Sequence, residues 1–260
     1  MSWDGGCLFI TTATAPTGLH AHYAIQIAFG SEPGIRFRAT DRDPWIEYEG
    51  VIVPSRQAHA MDATAVRCNA VLFVEPETRE GRALFQLYAP QAITRLPADK
   101  VRNAAAILRP VWQEPRSREG VLDAARRVIV ELTHGVEPSV ASDERILRAT
   151  AYIQQNLAEP LTLERIAAAV FLSPSRFRHL FVEQTGMALQ PYILWRRFVR
   201  AWELLMQGAS LSAAAHDAGF ADASHLTRTS RRMFGFPPSA MVMVGRLASD
   251  RQSASPSEKS

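Results

Sequence analysis

A pattern that occurs twice near the C-terminal end is what most constrains the fold of this 260-residue chain. In the first copy Thr162 precedes a short apolar-periodic run over 163–170, Phe171-Leu172 makes a turn, and Ser173-Pro174-Ser175 opens a second run that Gly186 stops. Serine at the N-cap with proline at the first helical position is a strong start signal: the ring presets helical φ, and its missing N–H had no intrahelical partner to lose. The second copy follows 48 to 49 residues later, with Ser210 capping 211–218, Gly219-Phe220 as the turn, Asp222 opening the next run, and Gly235 in the place of Gly186. Both copies read as helix, tight turn, helix. Between them Pro191 opens a segment to Met206 whose apolar positions Ile193, Leu194, Phe198, Ala201, Leu204 and Leu205 fit a single connecting helix. The spacing therefore predicts two equivalent helical heads on one rod.

Upstream the periodicity is different. From Gly6 to about Tyr88, short β-type runs over 7–12, 24–29, 35–39, 50–54 and 70–74 are divided by Gly, Pro and Asp, which reads as an antiparallel sandwich or small barrel. Two helices then follow, an alanine-rich one over 98–108 stopped at Pro110, and one with the stripe Val121, Leu122, Ala125, Ile129 and Leu132. That stripe suits either a dimer seam or the chain's own sheet. The expected fold class is α+β with two domains: a β-rich sandwich or barrel with trailing helices over 1–134, a hinge at 135–142, an all-α domain over 143–247 with Ser142 capping its first helix, and a polar, Ser-rich tail at 248–260 read as disordered. No apolar run approaches the roughly 20 residues needed to span a bilayer, and Cys7 and Cys68 are too few for a disulfide framework. A cytoplasmic protein is expected.

Charge supports the division. Residues 1–140 hold 15 basic and 16 acidic side chains, residues 141–260 hold 14 and 10, and residues 161–246 hold 10 and 5. Arginine supplies nearly all the cations, with lysine only at 100 and 259. Arginine is the better bidentate partner of phosphates and guanine edges.

The second half resembles the AraC/XylS family of bacterial transcription regulators over about 143–246. The matching residues are Ile166-Ala167, Leu172-Ser173-Pro174-Ser175, Phe181 with Thr185-Gly186, Pro191-Tyr192, Gly219-Phe220, Ser224-His225-Leu226, Arg228 and Phe234-Gly235-Phe236-Pro237-Pro238. The resemblance implies a double helix-turn-helix domain that enters two neighbouring major-groove segments of promoter DNA, one recognition helix to each. It places Ser175, Arg176, Arg178 and His179 on the first reading helix, and Ala223, Ser224, His225 and Arg228 on the second. Arg178 and Arg228 are the expected guanine readers. Arg196, Arg197, Arg200, Arg231 and Arg232 are expected at phosphates, although Arg196 and Arg200 equally suit a solvated helix face and Arg197 equally suits a buried pairing with Glu203. Two positions depart from the family pattern. Phe171 stands where glycine is frequent, and Ser230 where an aromatic side chain is usually buried.

The first half resembles, more loosely, the cupin-like sensor domain that many family members carry. His20, His22, Gln26, Gly30, Gly50, Pro54 and His59 carry that resemblance, with Gln26 where a cupin has glutamate and Arg56 where it has glycine. His20, His22, Gln26 and His59 are candidate ligand-binding residues. Two readings stay open for the histidines: core or small-molecule-pocket residues, with Tyr23, Arg36, Arg38 and Trp45 as further pocket members, or a metal site with a neutral glutamine. No cofactor and no catalytic residue is assigned. The resemblance implies a homodimer, a small-molecule effector and, for an activator, contact with RNA polymerase. Two other classes compete: a metal-dependent cupin enzyme with an appended DNA-binding module, and a helical interaction module that no longer reads bases.

Overall fold

The computed structural model describes residues 2–238 apart from 4, 14, 89–90, 114–116 and 139–141. The tail assigned to 248–260 and the centre of the hinge lie outside the described residues. The N-terminal half runs β1 (Ser2–Trp3), β2 (Gly6–Thr11), β3 (Ile25–Gly30), β4 (Ile35–Arg38), β5 (Ile46–Tyr48), β6 (Gly50–Val53), β7 (Ala60–Asp62), β8 (Asn69–Val74), α1 (Arg79–Tyr88), β9 (Thr94–Arg95), α2 (Ala98–Gln113) and α3 (Arg118–Thr133). A six-stranded sheet has the order β1-β2-β8-β3-β6-β9, and a three-stranded sheet the order β5-β4-β7. Every pairing among these strands is antiparallel.

Alternation along the strands of the large sheet sends side chains to two different cores. Leu8, Ile27, Phe29, Ile52, Leu72 and Val74 face α1 to α3, where they meet Leu84, Leu108 and the stripe Val121, Ala125, Ile129 and Leu132. Of the two readings of that stripe, the structure selects the chain's own sheet. Pro110 does not stop α2, which continues through it to Gln113. The first helix, α1, falls within the stretch to about Tyr88 read as β-type runs and was not anticipated.

The opposite face of the large sheet, through Cys7, Phe9, Ala28, Val51, Val71 and Phe73, meets the small sheet and also the helical half. That half consists of α4 (Glu144–Gln155), α5 (Leu163–Ala169), α6 (Pro174–Thr185), α7 (Leu189–Met206), α8 (Leu211–Asp217) and α9 (Ala223–Phe234). Asp143, not Ser142, caps α4, its side chain accepting from the Arg145 N–H. The Ser142 hydroxyl instead donates to the Glu77 carbonyl. One apolar core runs from the sheet into the helices: Phe9 packs edge-on against Trp202 at 5.1 Å between ring centroids, and Phe73 against Phe234 at 5.4 Å. The sequence suggested two domains joined by a hinge at 135–142; in the structure the two halves also share a buried interface.

Candidate nucleic-acid interface and a buried histidine cluster

Each head is built by its caps. The Thr162 hydroxyl accepts from the Arg165 N–H and the Ser173 hydroxyl from the Arg176 N–H; in the second copy Ser210 does the same for Ala213 and Asp222 for His225. Gly186 and Gly235 end α6 and α9 at φ 69° and 75°, in the left-handed region that glycine enters without a Cβ penalty. Phe171, in the turn between α5 and α6, also has positive φ, 57°, and its side chain is 90% exposed. The departure seen in the sequence is thus a strained aromatic with nothing packed on it.

On α6, Phe177, Leu180 and Phe181 point into the core, while Ser175, Arg176, Arg178 and His179 stand exposed together. On α9, Leu226, Thr229, Ser230 and Phe234 are buried; Ser224, Arg228, Arg231 and Arg232 are exposed, and Ala223 and His225 are half-buried. The His225 ring lies edge-on to Phe220 at 5.1 Å and its N–H is the capped one, so part of its role is to start the helix. At the aromatic position Ser230 is buried, and its hydroxyl donates 2.7 Å to the Phe236 carbonyl in the loop after α9.

Arg196 is a correction. It was expected at a phosphate or on a solvated face, but it is buried and its guanidinium is paired with the buried Glu75 at the end of the large sheet. Trp195 donates its indole N–H to the same carboxylate at 2.9 Å. The helical stripe Trp195, Phe198, Ala201 and Trp202 turns that face of α7 onto the sheet, and Arg196 goes with it. Burial works against its charge, yet Glu75, Tyr192 and Glu77 together outweigh this and raise the guanidinium pKa. Arg197 is paired too, but through the carbonyls of Leu157 at 3.0 Å and Glu159 at 3.2 Å rather than through Glu203. Arg200 reaches Glu203 at 3.4 Å on an exposed face.

Glu75 is one of several polar links between the halves that the sequence did not reveal. The Tyr23 hydroxyl donates 2.7 Å to the Glu77 carboxylate and 3.1 Å to the Thr185 carbonyl at the end of α6. Tyr23 is therefore an interface residue, not a pocket member. Burial, and then the Glu75 carboxylate, lift the Glu77 carboxyl to about 7. From α1, Arg82 donates to the side-chain and backbone oxygens of Gln184 at 2.9 and 3.2 Å. Arg36 is held by Asp62, and Arg38 lies over the Trp45 ring at 4.6 Å.

His20, His22, Gln26 and His59 do come together. The three histidines are buried, and one ligand atom from each lies within 4.8 Å of the others. His20 and His59 are antiparallel bridge partners, while β3 presents Gln26 between the rings. Each Nδ1 lies against a backbone carbonyl: His20 on Gly18 at 2.8 Å, His22 on Ala24 at 2.9 Å, His59 on Gln57 at 2.9 Å. The Gln26 Oε1 sits 2.8 Å from His22 Nε2 and 3.1 Å from His59 Nε2. Burial holds His20 at about 3, His59 at about 4, and His22 well below its ordinary range, so all three are neutral near pH 7. From the helical half, Phe234 stacks over His22 at 5.8 Å and His20 at 6.4 Å.

A β-rich half bearing a buried polar cluster is thus joined to a half with two capped helix-turn-helix heads. Residues 166–242 match a family model described as a helix-turn-helix domain. Over this C-terminal domain the chain is similar to AraC-type transcription regulators. It is 31% identical over 99 residues to the regulatory protein PocR of Salmonella typhimurium, an alignment covering 38% of this chain and 33% of that protein. It is 27% identical over 228 residues to the transcriptional activator RhaS of Klebsiella pneumoniae, covering 85% of this chain and 80% of that one. Across the first relatives matched, the chain spans about a third of their length. The fold across both halves is similar to that of ToxT from Vibrio cholerae, with a TM-score of 0.59 at 9% identity over 92% of this chain and 97% of that one. No helix among the described residues is long and apolar enough to cross a membrane.

Proposed function

We propose that this chain is a sequence-specific, DNA-binding transcription regulator that reads two adjacent major-groove segments with α6 and α9. The carrying observation is that two independently capped helices, fixed to one connecting helix, each expose arginine and small polar side chains while burying their apolar faces. In this reading Ser175, Arg176, Arg178 and His179 on α6, and Ala223, Ser224, His225 and Arg228 on α9, face bases, and Arg231 meets phosphate. The division at 135–142 separates a cupin-like sensor from this reader, the chain works in the cytoplasm as a homodimer, and RNA polymerase is its partner if it activates.

The N-terminal half would answer to a small effector. ToxT is described bound to an unsaturated fatty acid, and the shared fold makes effector control a reasonable expectation for this chain without naming the ligand. The enzyme alternative is weaker, because Phe234 and Trp195 lie over the cluster that would carry catalysis. Footprinting of the full chain on host genomic fragments tests the function: protected sites with two segments about one helical turn apart are expected, and none at moderate salt would refute it. Arg178→Ala should weaken such a site by about 1–3 kcal/mol and relax its sequence preference at one base pair.

A further inference from the structure

We propose that a cavity where the segment 75–80 meets α4 and α7 binds a small organic cation, an ammonium ion that also carries a neutral acceptor such as a hydroxyl group, and that this ligand locks the two halves together. None of the cluster histidines lines this cavity. The proposal deepens the proposed function by naming an effector class and rests on that reading only for its consequence at DNA.

The cavity has a volume of about 270 Å³. At ~30 Å³ for each water-sized group it holds about nine non-hydrogen atoms, which places its ligand below the drug-sized molecules that fill sites of roughly 300–1,000 Å³. Glu75, Glu77 and Glu80 line it from the N-terminal half, and Tyr192 and Arg196 from α7. On the α4 side Leu147, Ala151 and Gln154 are exposed, so the cavity is reached from solvent along that helix.

Two buried groups set the chemistry of the ligand. Glu77 is 2% exposed; its Oε2 accepts from the Tyr23 hydroxyl, and its Oε1 has no hydrogen-bond partner. Arg196 gives Nη1 to Glu75, while its Nε is buried without a partner. An orphan acceptor and an orphan donor thus belong to the lining of one cavity, and each carries a desolvation cost that a ligand with the complementary group removes. An ammonium group meets the acceptor, and a hydroxyl oxygen meets the donor. Charge selects the sign: Arg196 is matched by Glu75 and Arg79 by Glu137, which leaves the carboxyls of Glu77 and Glu80. An anionic ligand would be repelled by both.

Binding acts on the interface through Glu77. Burial and then Glu75 place its carboxyl at about 7. The groups packed around it are Glu75 with Arg196, the phenols Tyr23 and Tyr192, both held above their ordinary range by burial, and Arg82, which donates to the Glu77 carbonyl at 3.3 Å. A cation at Oε1 favours the ionised form. An ionised carboxylate accepts a shorter, stronger bond from the Tyr23 hydroxyl, which also reaches the Thr185 carbonyl at the end of α6. The ligand therefore tightens the link between the sheet and the first head, and holds α4 and α7, which wall the cavity, along with it.

The test uses the full chain in amine-free phosphate buffer, titrated calorimetrically with ω-amino alcohols of two to five carbons, with the matching alkylamines, alcohols and carboxylic acids as controls. One equivalent of the best amino alcohol is expected, at least threefold tighter than its alkylamine and at least tenfold tighter than the alcohol or the acid. Affinity should rise about tenfold from pH 6 to pH 8, following the ionised fraction of a carboxyl that titrates at about 7. Glu77→Gln should bind at least tenfold more weakly and without that pH dependence. Ala151→Trp, at an exposed position of α4, should block the cavity with the melting temperature unchanged, which keeps the test decisive if Glu77→Gln fails to fold. The ligand should slow hydrogen exchange at the end of α6 and in α7. No saturable binding of any amine, binding that both substitutions leave unchanged, or a preference for the acid overturns the site; binding without slowed exchange overturns the lock. Failure of the chain to footprint any DNA, with or without the ligand, would instead refute the regulator reading and leave the cation site standing.

Discussion

Arg196→Met is the sharpest probe of how the two halves hold together. Arg196 and Glu75 are 6% and 5% exposed as side chains, so solvent screens their pairing little. Removing the cation leaves a buried carboxylate with the Trp195 indole N–H as its remaining side-chain donor. Breaking one side of such a pair costs about 3–5 kcal/mol, and each 1.4 kcal/mol is tenfold in an equilibrium constant. Glu75→Gln should cost less, since its amide oxygen can still accept from Trp195 and Arg196. Combining Arg196→Met with Glu75→Leu should recover much of the loss, because an apolar pair fits a site walled by Tyr192, Trp195 and the sheet. Urea denaturation followed by tryptophan fluorescence reads all of these, with Trp195 itself beside the pair. A cost below about 1 kcal/mol for Arg196→Met, with no coupling in the Arg196→Met/Glu75→Leu cycle, would refute the view of this pair as a dry lock between α7 and the sheet.

Glu77 gives the interface a pH dependence. Its folded pKa of about 7 lies above the ordinary 4.5, so its contribution is full below pH 4.5 and is lost as pH rises through 7. The buried neutral histidines act in the opposite sense below about pH 6.5, so the quantity to measure is the stability difference between wild type and Glu77→Gln from pH 5 to 8, which should shift by a few kcal/mol; a flat difference contradicts the burial argument. Gly235→Ala should destabilise more than Gly186→Ala: both pay about 1–2 kcal/mol for a left-handed backbone, but only at Gly235 does the new Cβ meet a backbone oxygen, that of Gly18, whereas at Gly186 the nearest atom is the Arg56 guanidinium at 3.9 Å. Equal losses in thermal melts would show that the Gly18 contact contributes nothing. Phe171→Gly removes an exposed side chain from φ 57° and should raise stability by roughly 0.5–1 kcal/mol; a drop would mean that the ring packs on something in solution.

The helical heads were legible because their signals are local. Caps, a proline at the first turn, and glycines after the last are read within a few residues of where they act, so the starts and stops of α5, α6, α8 and α9 fall where Thr162, Ser173, Ser210, Asp222, Gly186 and Gly235 place them. The five long β runs were legible by composition for the same reason. Arg196 was not, because whether a residue on α7 faces water depends on what covers that helix, and its cover is Glu75, 121 positions away. Tyr23 was placed in a pocket, and Glu77 passed over, for the same cause: Tyr23 reads as an ordinary polar residue until Glu77 and the Thr185 carbonyl of the other half meet its hydroxyl. The histidines were grouped correctly by their spacing, but their roof, Phe234, belongs to an element read as part of a DNA-binding head.

The character of this interface bears on how a regulator of this shape would work. An all-apolar contact between the halves would slide through many nearly equivalent packings, since dispersion and burial are not directional. Here, Arg196 with Glu75, Tyr23 with Glu77 and Thr185, and Arg82 with Gln184 fix the aromatic surface in one register. Each of these groups is costly to leave unpaired in a dry setting, so a partly shifted interface is worse than either a fully docked or a fully parted one. That penalty makes the contact two-state. The three links engage the end of α6 and the middle of α7, whereas the histidine cluster engages the end of α9. A signal at the cluster therefore acts first on the second head, with the first head and the connecting helix held until the Glu75 and Glu77 contacts give way. Arg228 and Arg231 on α9 should accordingly respond to an effector at the cluster before Arg178 on α6 does, and site-resolved hydrogen exchange of the two helices during its titration would show the order.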